Sequence, residues 1–293
     1  MASEDEFAKF RDRYEETMER MFGSVSALYA EHWGDFFHFA IFEDGTDDRV
    51  TAFEYTHRRY ADALGVADAT NVLELACGRG GFTDFLAART AGRVLGIDIS
   101  RAQLSHAARY RRPNLRFQRH DIMRVDELPG RFDAVACIDA EPYLPDKRAA
   151  VERIAGVMSP GARFLLIAWC RRGGLKRVQQ ELVLHPLMRS LGIAGFETAP
   201  AYRKYLREAG LHLLDEIDLN EKVRSNWDLG YRRAIEAVGE FSLARAAQLL
   251  WKGMPLGAEG VQLIREQFAA ALYIKAAFDA GFLRYTYFLA EKS

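Results

Sequence analysis

The 293-residue sequence contains few cysteines and no long apolar run. Its three cysteines, Cys77, Cys137 and Cys170, lie in apolar, strand-like segments and have neither paired nor metal-ligand spacing. We therefore expect them to be reduced and buried, and no metal site is predicted. The longest apolar run near the middle, "FLLIAW", is far shorter than the roughly 20 residues that cross a bilayer. No membrane span is expected.

The sequence also lacks an excess of charge and a secretory signal. Forty basic and 41 acidic residues give a net charge of -1, so nothing attracts the whole molecule to nucleic acid or to an anionic membrane. The acidic N-terminus, "MASEDEFAKFRDRYEE", has neither the basic start nor the apolar stretch of a signal peptide. These features predict a cytoplasmic protein. Since 49% of the residues are hydrophobic, the chain can bury a core, and its expected partner is a small molecule.

From residue 70 onwards, apolar strand-like segments alternate with helical ones. Strands are predicted at 71–77, 93–99, 115–122, 132–139 and 162–170, and helices at 81–90, 100–112 and 146–158. Ser100 and Gln103 form a capping box that marks the start of the second of these helices. Further strands follow at 211–219 and 282–292. This order predicts an α/β fold with a doubly wound, mainly parallel, seven-stranded sheet.

The flanking segments have a helical pattern. Residues 1–65 are aromatic-rich and are predicted to form a helical N-terminal cap, whereas residues 66–293 form the α/β domain. A helical insert at about 222–280, with Trp227 and Trp251, precedes the last strand. Because no repeat or flexible linker is present, we expect one core with a helical lid rather than two independent domains.

The stretch "NVLELACGRGGF" joins the first strand to a glycine-rich loop and carries one acid, Glu74. In open α/β sheets, ligands bind at the carboxyl ends of the strands. A dinucleotide fingerprint needs glycine or alanine where this loop has Thr83, and the Glu74 carboxylate would repel a pyrophosphate. The loop therefore favours a positively charged ligand without phosphate. S-adenosylmethionine, which has a sulfonium and an ammonium, meets this description.

Three segments resemble motifs of the class I S-adenosylmethionine-dependent methyltransferases: "ELACGRG" the first, "GIDIS" the second and "RHDI" the third. The resemblance implies that Asp98 binds the ribose hydroxyls, that Asp121 meets the adenine amino group and that Ile122 packs on the ring. Taken singly, the glycines could form only a turn, Asp98 a helix cap and Asp121 a loop carboxylate; their places after three successive strands favour the cofactor. The implied cofactor contacts are Glu74, Ala76, Gly78, Gly80, Asp98, Ile99, Gln103, Asp121, Ile122 and Asp139.

The loop after the fourth strand, "CIDAEPYLPD", is expected to face the methyl acceptor. Amino-methylating enzymes of DNA carry two prolines before an aromatic residue here, and only Pro142 and Tyr143 match that pattern. Small-molecule methyltransferases of this type often have a histidine where this chain has Tyr143, and those that act on glycine, tocopherol or alkaloids resemble this chain in the layout of its flanks. A phenol with a pKa of about 10 is a poor base but a good hydrogen-bond donor. An amine, an acidic hydroxyl and an electron-rich carbon all remain open as acceptors.

Tyr143 and His38 are the candidate catalytic residues, although His38 in "FFHFAIF" is more simply explained as a core histidine. The basic loop 171–177 is either solvated or holds an anionic substrate. The candidate acceptor contacts are Tyr29, Trp33, Phe37, Glu141 and Trp169.

The expected function is methyl transfer from S-adenosylmethionine, which leaves S-adenosylhomocysteine, to a small molecule of specialised metabolism. The alternatives are a nucleic-acid or protein methyltransferase on the same core, and a cofactor-binding cyclase or scaffold that transfers no methyl. The oligomeric state is left open.

Overall fold

The computed structural model describes residues 5–33, 36–43, 48–239 and 258–293. Three helices precede the sheet: α1 (Asp5–Asp12), α2 (Tyr14–Trp33) and α3 (Arg49–Leu64). The side chains of residues 24–33 are not among those that the structure describes, and these residues include the predicted acceptor contacts Tyr29 and Trp33. Trp251, in the predicted insert, also lies outside the described residues.

The core of the molecule is a seven-stranded sheet with the order β3-β2-β1-β4-β5-β7-β6. Its strands are β1 (Asn71–Leu75), β2 (Arg93–Asp98), β3 (Leu115–Arg119), β4 (Phe132–Ile138), β5 (Met158–Arg171), β6 (Leu211–Asp218) and β7 (Leu283–Lys292). The pairs from β3 to β5 are parallel, whereas β7 runs antiparallel to both of its neighbours. This sheet confirms the predicted doubly wound, mainly parallel architecture. The strand order reverses at β1, so the loops after β1 and β4 diverge and leave room for a ligand.

Both faces of the sheet are covered, as the apolar strands require. Consecutive strand residues point to opposite faces, and accordingly Val72 and Leu73 belong to two different buried apolar clusters. The later helices are α4 (Gly81–Ala87), α5 (Arg101–Ala107), α6 (Lys147–Gly156), α7 (Arg177–Gln179), α8 (His185–Leu191), α9 (Ala199–Glu208), α10 (Asn220–Gly239) and α11 (Ala258–Asp279). Over the described ranges, none of the helices has the length and hydropathy needed to cross a membrane.

Two predicted elements end earlier than expected. Helix α5 ends at Ala107, not at residue 112; Pro113 disfavours helical backbone at Arg112 and does not account for the remaining difference. Strand β3 ends at Arg119 rather than at residue 122. There the Asp121 carboxylate accepts a hydrogen bond from the Met123 amide (2.9 Å) and starts a 3-10 turn.

The segment between β5 and α9 contains structure that the sequence analysis does not predict. A wide π turn at Gln180–Leu184 leads into α8, which packs against α11. Near the N-terminus, residues 36–43 are not helical, and they enter the core. There the Phe39 ring stacks on Trp169 (5.6 Å between centroids), and the Ala40 amide donates to the Asn226 side chain (3.0 Å).

Candidate cofactor and acceptor site

The loop after β1 has backbone angles that favour glycine. Gly78 (φ 53°) and Gly80 (φ 83°) lie in the left-handed region, and so does Ala76 (φ 53°). A Cβ atom on Gly80 would lie 2.7 Å from the Phe117 ring, so a larger residue does not fit there. Gly80 precedes the first residue of α4 and thereby turns the chain from strand to helix.

Glu74 lies at the carboxyl end of β1 and is buried. Its Oε2 atom accepts a hydrogen bond from the Thr83 hydroxyl (2.5 Å). Burial raises the pKa of Glu74 to about 8, although the Thr83 hydrogen bond lowers it, and the nearby Asp98 carboxylate raises it slightly further. A cationic ligand beside Glu74 would therefore favour the ionised carboxylate.

Asp98, the last residue of β2, connects the glycine loop to α5. Its Oδ2 atom accepts a hydrogen bond from the Gly78 amide, and its Oδ1 atom accepts one from the Ser100 amide, both at 2.8 Å. Burial raises the pKa of Asp98 to about 6, against the effect of these two amides. Each carboxylate oxygen has a second lone pair, so Asp98 can still accept hydrogen bonds from two hydroxyls of a ligand.

A cleft of about 890 Å³, partly open to solvent, lies at the carboxyl ends of β1, β2 and β4. Among the predicted site residues, Glu74, Ala76, Gly78, Asp98, Ile99, Gln103, Ile122, Asp139, Phe37, His38 and Tyr143 lie on its wall. Gly80 and Asp121 do not. Asp121 acts on the buried Tyr14 hydroxyl, whose pKa is raised well above its usual value by burial and by Asp121 and Asp98.

Helix α2 closes one side of the cleft. The sequence predicts this segment only as part of a helical cap. Tyr14, Met18 and Phe22 line the cleft and are spaced by four residues, so they share one helix face. Their spacing was available in the sequence as a signal. An ion pair between Glu15 and Arg119 (2.7 Å) fastens the start of the helix to β3. Other unpredicted wall residues are Phe36, Arg79, Phe82 and His120.

His38 is paired with a second buried histidine, His57, which the sequence analysis does not single out. Their Nε2 atoms lie 3.0 Å apart, and His38 Nδ1 lies 3.3 Å from the Phe39 carbonyl oxygen. Because a carbonyl only accepts hydrogen bonds, His38 carries its proton on Nδ1 and accepts from His57 at Nε2. Burial lowers the pKa of His38 to about 4 and that of His57 well below its usual value. With both nitrogens engaged, His38 forms part of the wall and is not poised as a base.

Tyr143 lies on the cleft wall at the end of a 3-10 turn, Glu141–Tyr143. Its ring meets that of Phe22 edge to face, with 5.5 Å between the centroids. This contact joins the loop after β4 to the helix that covers the cleft, so Tyr143 lies between the sheet and α2. Its position is suited to orienting an acceptor.

Glu141 and Trp169 do not line the cleft, and their predicted acceptor contacts gain no support from the geometry. The same turn that directs Tyr143 into the cleft directs Glu141 towards β5. There Glu141 accepts a hydrogen bond from the Trp169 amide (2.7 Å). Burial raises the pKa of Glu141 well above its usual value, while burial lowers that of neighbouring Lys147 to about 8. Glu141 therefore joins the loop after β4 to the sheet.

The basic loop 171–177 also lies outside the cleft wall. The Arg171 side chain donates to the Phe196 carbonyl (3.0 Å), and the Arg172 guanidinium lies over the Phe282 ring (5.5 Å). Arg177 forms an ion pair with Glu181 (2.7 Å). These contacts are intramolecular and give no support to an anionic substrate at this loop.

Asp139 follows β4 and has a left-handed backbone (φ 55°). The residue borders the cleft, yet both carboxylate oxygens are buried and make no hydrogen bond of ordinary geometry to the described residues. Burial raises the pKa of Asp139 to about 7, while the Tyr285 hydroxyl, the Trp169 indole and the Phe39 backbone lower it. The Tyr285 hydroxyl and the Trp169 indole nitrogen likewise make no such hydrogen bond.

These side chains fit S-adenosylmethionine. Of the described wall residues, Glu74, Asp98 and Asp139 carry carboxyl groups and only Arg79 carries a basic group other than histidine, as suits a cationic ligand without phosphate. The glycine loop leaves room for close approach of a ligand to the backbone. Asp98 is placed to hold vicinal hydroxyls.

Comparison with known proteins agrees with this site. Residues 72–161 match a family model described as a methyltransferase domain. The chain is a class I S-adenosylmethionine-dependent methyltransferase. Its cofactor is S-adenosylmethionine, and the matched segment runs from β1 to the start of β5 and so contains all three motifs.

Several methyltransferases are similar over most of the chain. The tocopherol O-methyltransferase of Arabidopsis thaliana is 26% identical over 82% of this chain and 76% of its own length. The cycloartenol-C-24-methyltransferase of the same plant is 23% identical over 95% of this chain and 88% of its own. A mycolic acid cyclopropane synthase, crystallised with S-adenosylhomocysteine, superposes with a TM-score of 0.78 at 14% identity, over 95% and 98% of the two chains. The similarity to the cyclopropane synthase is a similarity of fold alone.

Proposed function

We propose that this methyltransferase acts on a largely apolar small molecule of specialised metabolism, in the cytoplasm, and that the acceptor carries a hydroxyl. The carrying observation is the aromatic wall of the cleft, which includes Phe22, Phe36, Phe37, Phe82 and Tyr143. Such a wall binds an apolar ring or chain better than a polar amino acid. The similarity to a tocopherol O-methyltransferase supports the same choice, since a tocopherol has a phenolic ring and an apolar chain.

S-adenosylmethionine supplies an electrophilic methyl group on a positively charged sulfur. The chain's own residues position the reactants. Asp98 holds hydroxyls beside the glycine loop, the carboxyl group of Glu74 favours the positive charge, and Tyr14, Met18 and Phe22 on α2 shield the cleft from water. Since methyl transfer depends mainly on alignment, these positioning contacts contribute most of what the protein needs to provide.

A panel of acceptors tests this proposal. The purified protein is incubated with methyl-labelled S-adenosylmethionine and, separately, with a tocopherol-type chromanol, a prenylated hydroquinone, a sterol with a side-chain alkene, and glycine as a polar amine. We expect label in the chromanol or the hydroquinone and none in glycine. Label only in glycine would contradict the proposal.

The same assay separates the alternatives. Conversion of an acceptor without formation of S-adenosylhomocysteine would indicate the non-methylating cyclase. Salt-dependent binding of RNA, with label in the RNA, would indicate a nucleic-acid methyltransferase. The Asp98→Ala variant serves as the control for turnover that depends on the cleft.

A further inference from the structure

Asp139 is an acid at the cleft whose oxygens make no hydrogen bond of ordinary geometry to the described residues, although the Tyr285 hydroxyl, the Trp169 indole and the Phe39 backbone are near enough to lower its pKa. Four buried polar groups meet behind the cleft wall at the end of β4: the Asp139 carboxylate, the Tyr285 hydroxyl, the Trp169 indole nitrogen and the Tyr60 hydroxyl. None of them makes a hydrogen bond of ordinary geometry to the described residues. Buried polar groups are nearly always paired in folded proteins, so this cluster indicates a place for an additional polar group.

Asp139 is the member of this cluster that borders the cleft. Since its oxygens make no hydrogen bond of ordinary geometry to the described residues, rotation about the Cα–Cβ bond towards the cleft would give up only the weaker interactions with Tyr285, Trp169 and the Phe39 backbone. A hydroxyl on an acceptor would supply a hydrogen bond of ordinary geometry in their place. The left-handed backbone is tolerated by aspartate and asparagine better than by most residues.

We propose that Asp139 is the general base of this enzyme and that it takes the proton of the acceptor's hydroxyl group. This proposal rests on the proposed function, which supplies a hydroxyl-bearing acceptor. The O–H proton passes to an Asp139 oxygen, and the electron pair left on the acceptor oxygen forms the bond to the methyl carbon. The pair of the former carbon–sulfur bond remains on sulfur as a neutral thioether, and Asp139 then releases its proton to water.

The other candidate bases of the cleft are engaged elsewhere. Both ring nitrogens of His38 are occupied by Phe39 and His57. Asp98 accepts hydrogen bonds from two backbone amides, and Glu74 accepts one from Thr83. A tyrosine hydroxyl, as at Tyr143, donates a hydrogen bond more readily than it removes a proton at neutral pH.

The groups around Asp139 leave it free to titrate near neutral pH. Tyr285 faces it from β7 and Tyr60 from α3, and burial raises the pKa of each well above its usual value. Burial also raises the pKa values of Cys137 on β4 and of Glu141 in the following turn. Burial favours the uncharged form of each of these neighbours, although Lys147 lowers the pKa of Glu141, and burial raises the pKa of Asp139 to about 7, which suits a base at neutral pH.

The first test compares Asp139→Asn with Asp139→Glu, using the chromanol as acceptor. Asparagine keeps the shape and tolerates the backbone but cannot take a proton, so we expect kcat at pH 8 to fall by about 10²–10⁴-fold. Binding of S-adenosylhomocysteine, measured by calorimetry, should stay within about twofold, since the cofactor contacts remain. Asp139→Glu retains a base and should be at least about tenfold faster than Asp139→Asn.

A second readout does not depend on turnover. In protein labelled with ¹³C at the aspartate side-chain carboxyl, one resonance that is missing from Asp139→Asn should titrate with a midpoint near pH 7. Tyr285→Phe removes a hydroxyl that lowers this pKa, so the midpoint and the acidic limb of the kcat/KM profile should both move to higher pH. If Asp139 had a purely structural role, Tyr285→Phe would leave the acidic limb of the kcat/KM profile at the same pH.

Several outcomes would overturn the proposal. They are an Asp139→Asn variant with more than about a third of wild-type kcat, a titration midpoint below pH 5, or a tenfold loss of S-adenosylhomocysteine affinity that explains the rate loss. The last result would make Asp139 a cofactor contact, as the sequence motifs imply. A wild-type enzyme that methylates no hydroxyl acceptor would instead contradict the proposed function itself.

Discussion

The Asp98 carboxylate at the end of β2 accepts a hydrogen bond from the Gly78 amide in the loop after β1, over 2.8 Å. The acid that is expected to hold the ribose therefore also holds the glycine loop in place. A single substitution here affects both parts of the cofactor site. The next strand pair offers no equivalent connection, since Asp121 instead starts a 3-10 turn.

Asp98→Ala should weaken binding of S-adenosylhomocysteine by about 1.5–3 kcal/mol, the range for hydrogen bonds to charged groups. The variant loses the ligand contact as well as the anchors of Gly78 and Ser100. Calorimetry measures the change. Asp126→Ala, at an exposed acid that pairs with Arg153, is the matched control and should bind like the wild type. Unchanged affinity in folded Asp98→Ala would remove Asp98 from the cofactor site.

The free energy of unfolding of the cofactor-free protein should fall between about pH 6 and 8. Burial raises the pKa of Glu74 to about 8 and that of Asp139 to about 7, whereas unfolded carboxyl groups have pKa values near 4. Over this interval the folded protein binds more protons than the unfolded chain, so raising the pH lowers its stability. Urea unfolding at three pH values measures the slope.

Glu74→Gln should reduce that slope, because glutamine does not titrate. The matched control Glu127→Gln, at an exposed residue that pairs with Arg124, should leave it unchanged. Equal slopes in the wild type and Glu74→Gln would show that Glu74 ionises at its ordinary pH.

Tyr143→Phe should slow turnover by about tenfold, which corresponds to roughly 1.4 kcal/mol. The substitution keeps the ring that meets Phe22 and removes only the hydroxyl that orients the acceptor. Tyr143→Leu, which also removes the ring contact, should be slower still. A thousandfold loss in Tyr143→Phe with intact cofactor affinity would make the hydroxyl an obligatory proton carrier, and no loss would leave the residue a packing role.

The His38 and His57 pair should make the protein sensitive to acid. Burial lowers both pKa values, that of His38 to about 4, so between about pH 6.5 and 4 the unfolded chain binds more protons than the folded one. Acidification through this range therefore removes stability. Relative to a His38→Phe, His57→Phe double variant, the wild type should lose at least about 1 kcal/mol, since one pKa unit corresponds to about 1.36 kcal/mol. Parallel curves of unfolding free energy against pH for the wild type and the double variant would contradict this prediction. His212→Asn, at an exposed histidine, serves as the control.

The sheet and the cofactor half of the cleft follow from local sequence patterns. Apolar strands with turn residues between them predict β1 to β5, and the acids after β1 and β2 stand at the ends of those strands. Such signals need only a few neighbouring residues. The spacing of Tyr14, Met18 and Phe22 was an equally local signal for the helix face that covers the cleft.

The acceptor half depends on contacts between distant segments. Tyr60 and Tyr285 reach Asp139 from α3 and β7, and the His38 and His57 pair forms between a nonhelical segment and α3. Nothing local to Asp139 distinguishes an acid without hydrogen bonds from one that binds the cofactor. Similarly, the orientation of Glu141 towards β5 is set by the Trp169 amide, which lies 28 positions along the chain.

The most direct measurement follows the fate of the methyl group. Wild-type protein is incubated with deuterated-methyl S-adenosylmethionine and the tocopherol-type chromanol, and mass spectrometry quantifies both products. We expect one labelled methyl group on the chromanol oxygen for each S-adenosylhomocysteine formed, with the yield abolished by excess S-adenosylhomocysteine. S-adenosylhomocysteine binding without any labelled product from the apolar hydroxyl acceptors, together with labelled glycine, would contradict the assignment of the aromatic cleft to an apolar acceptor.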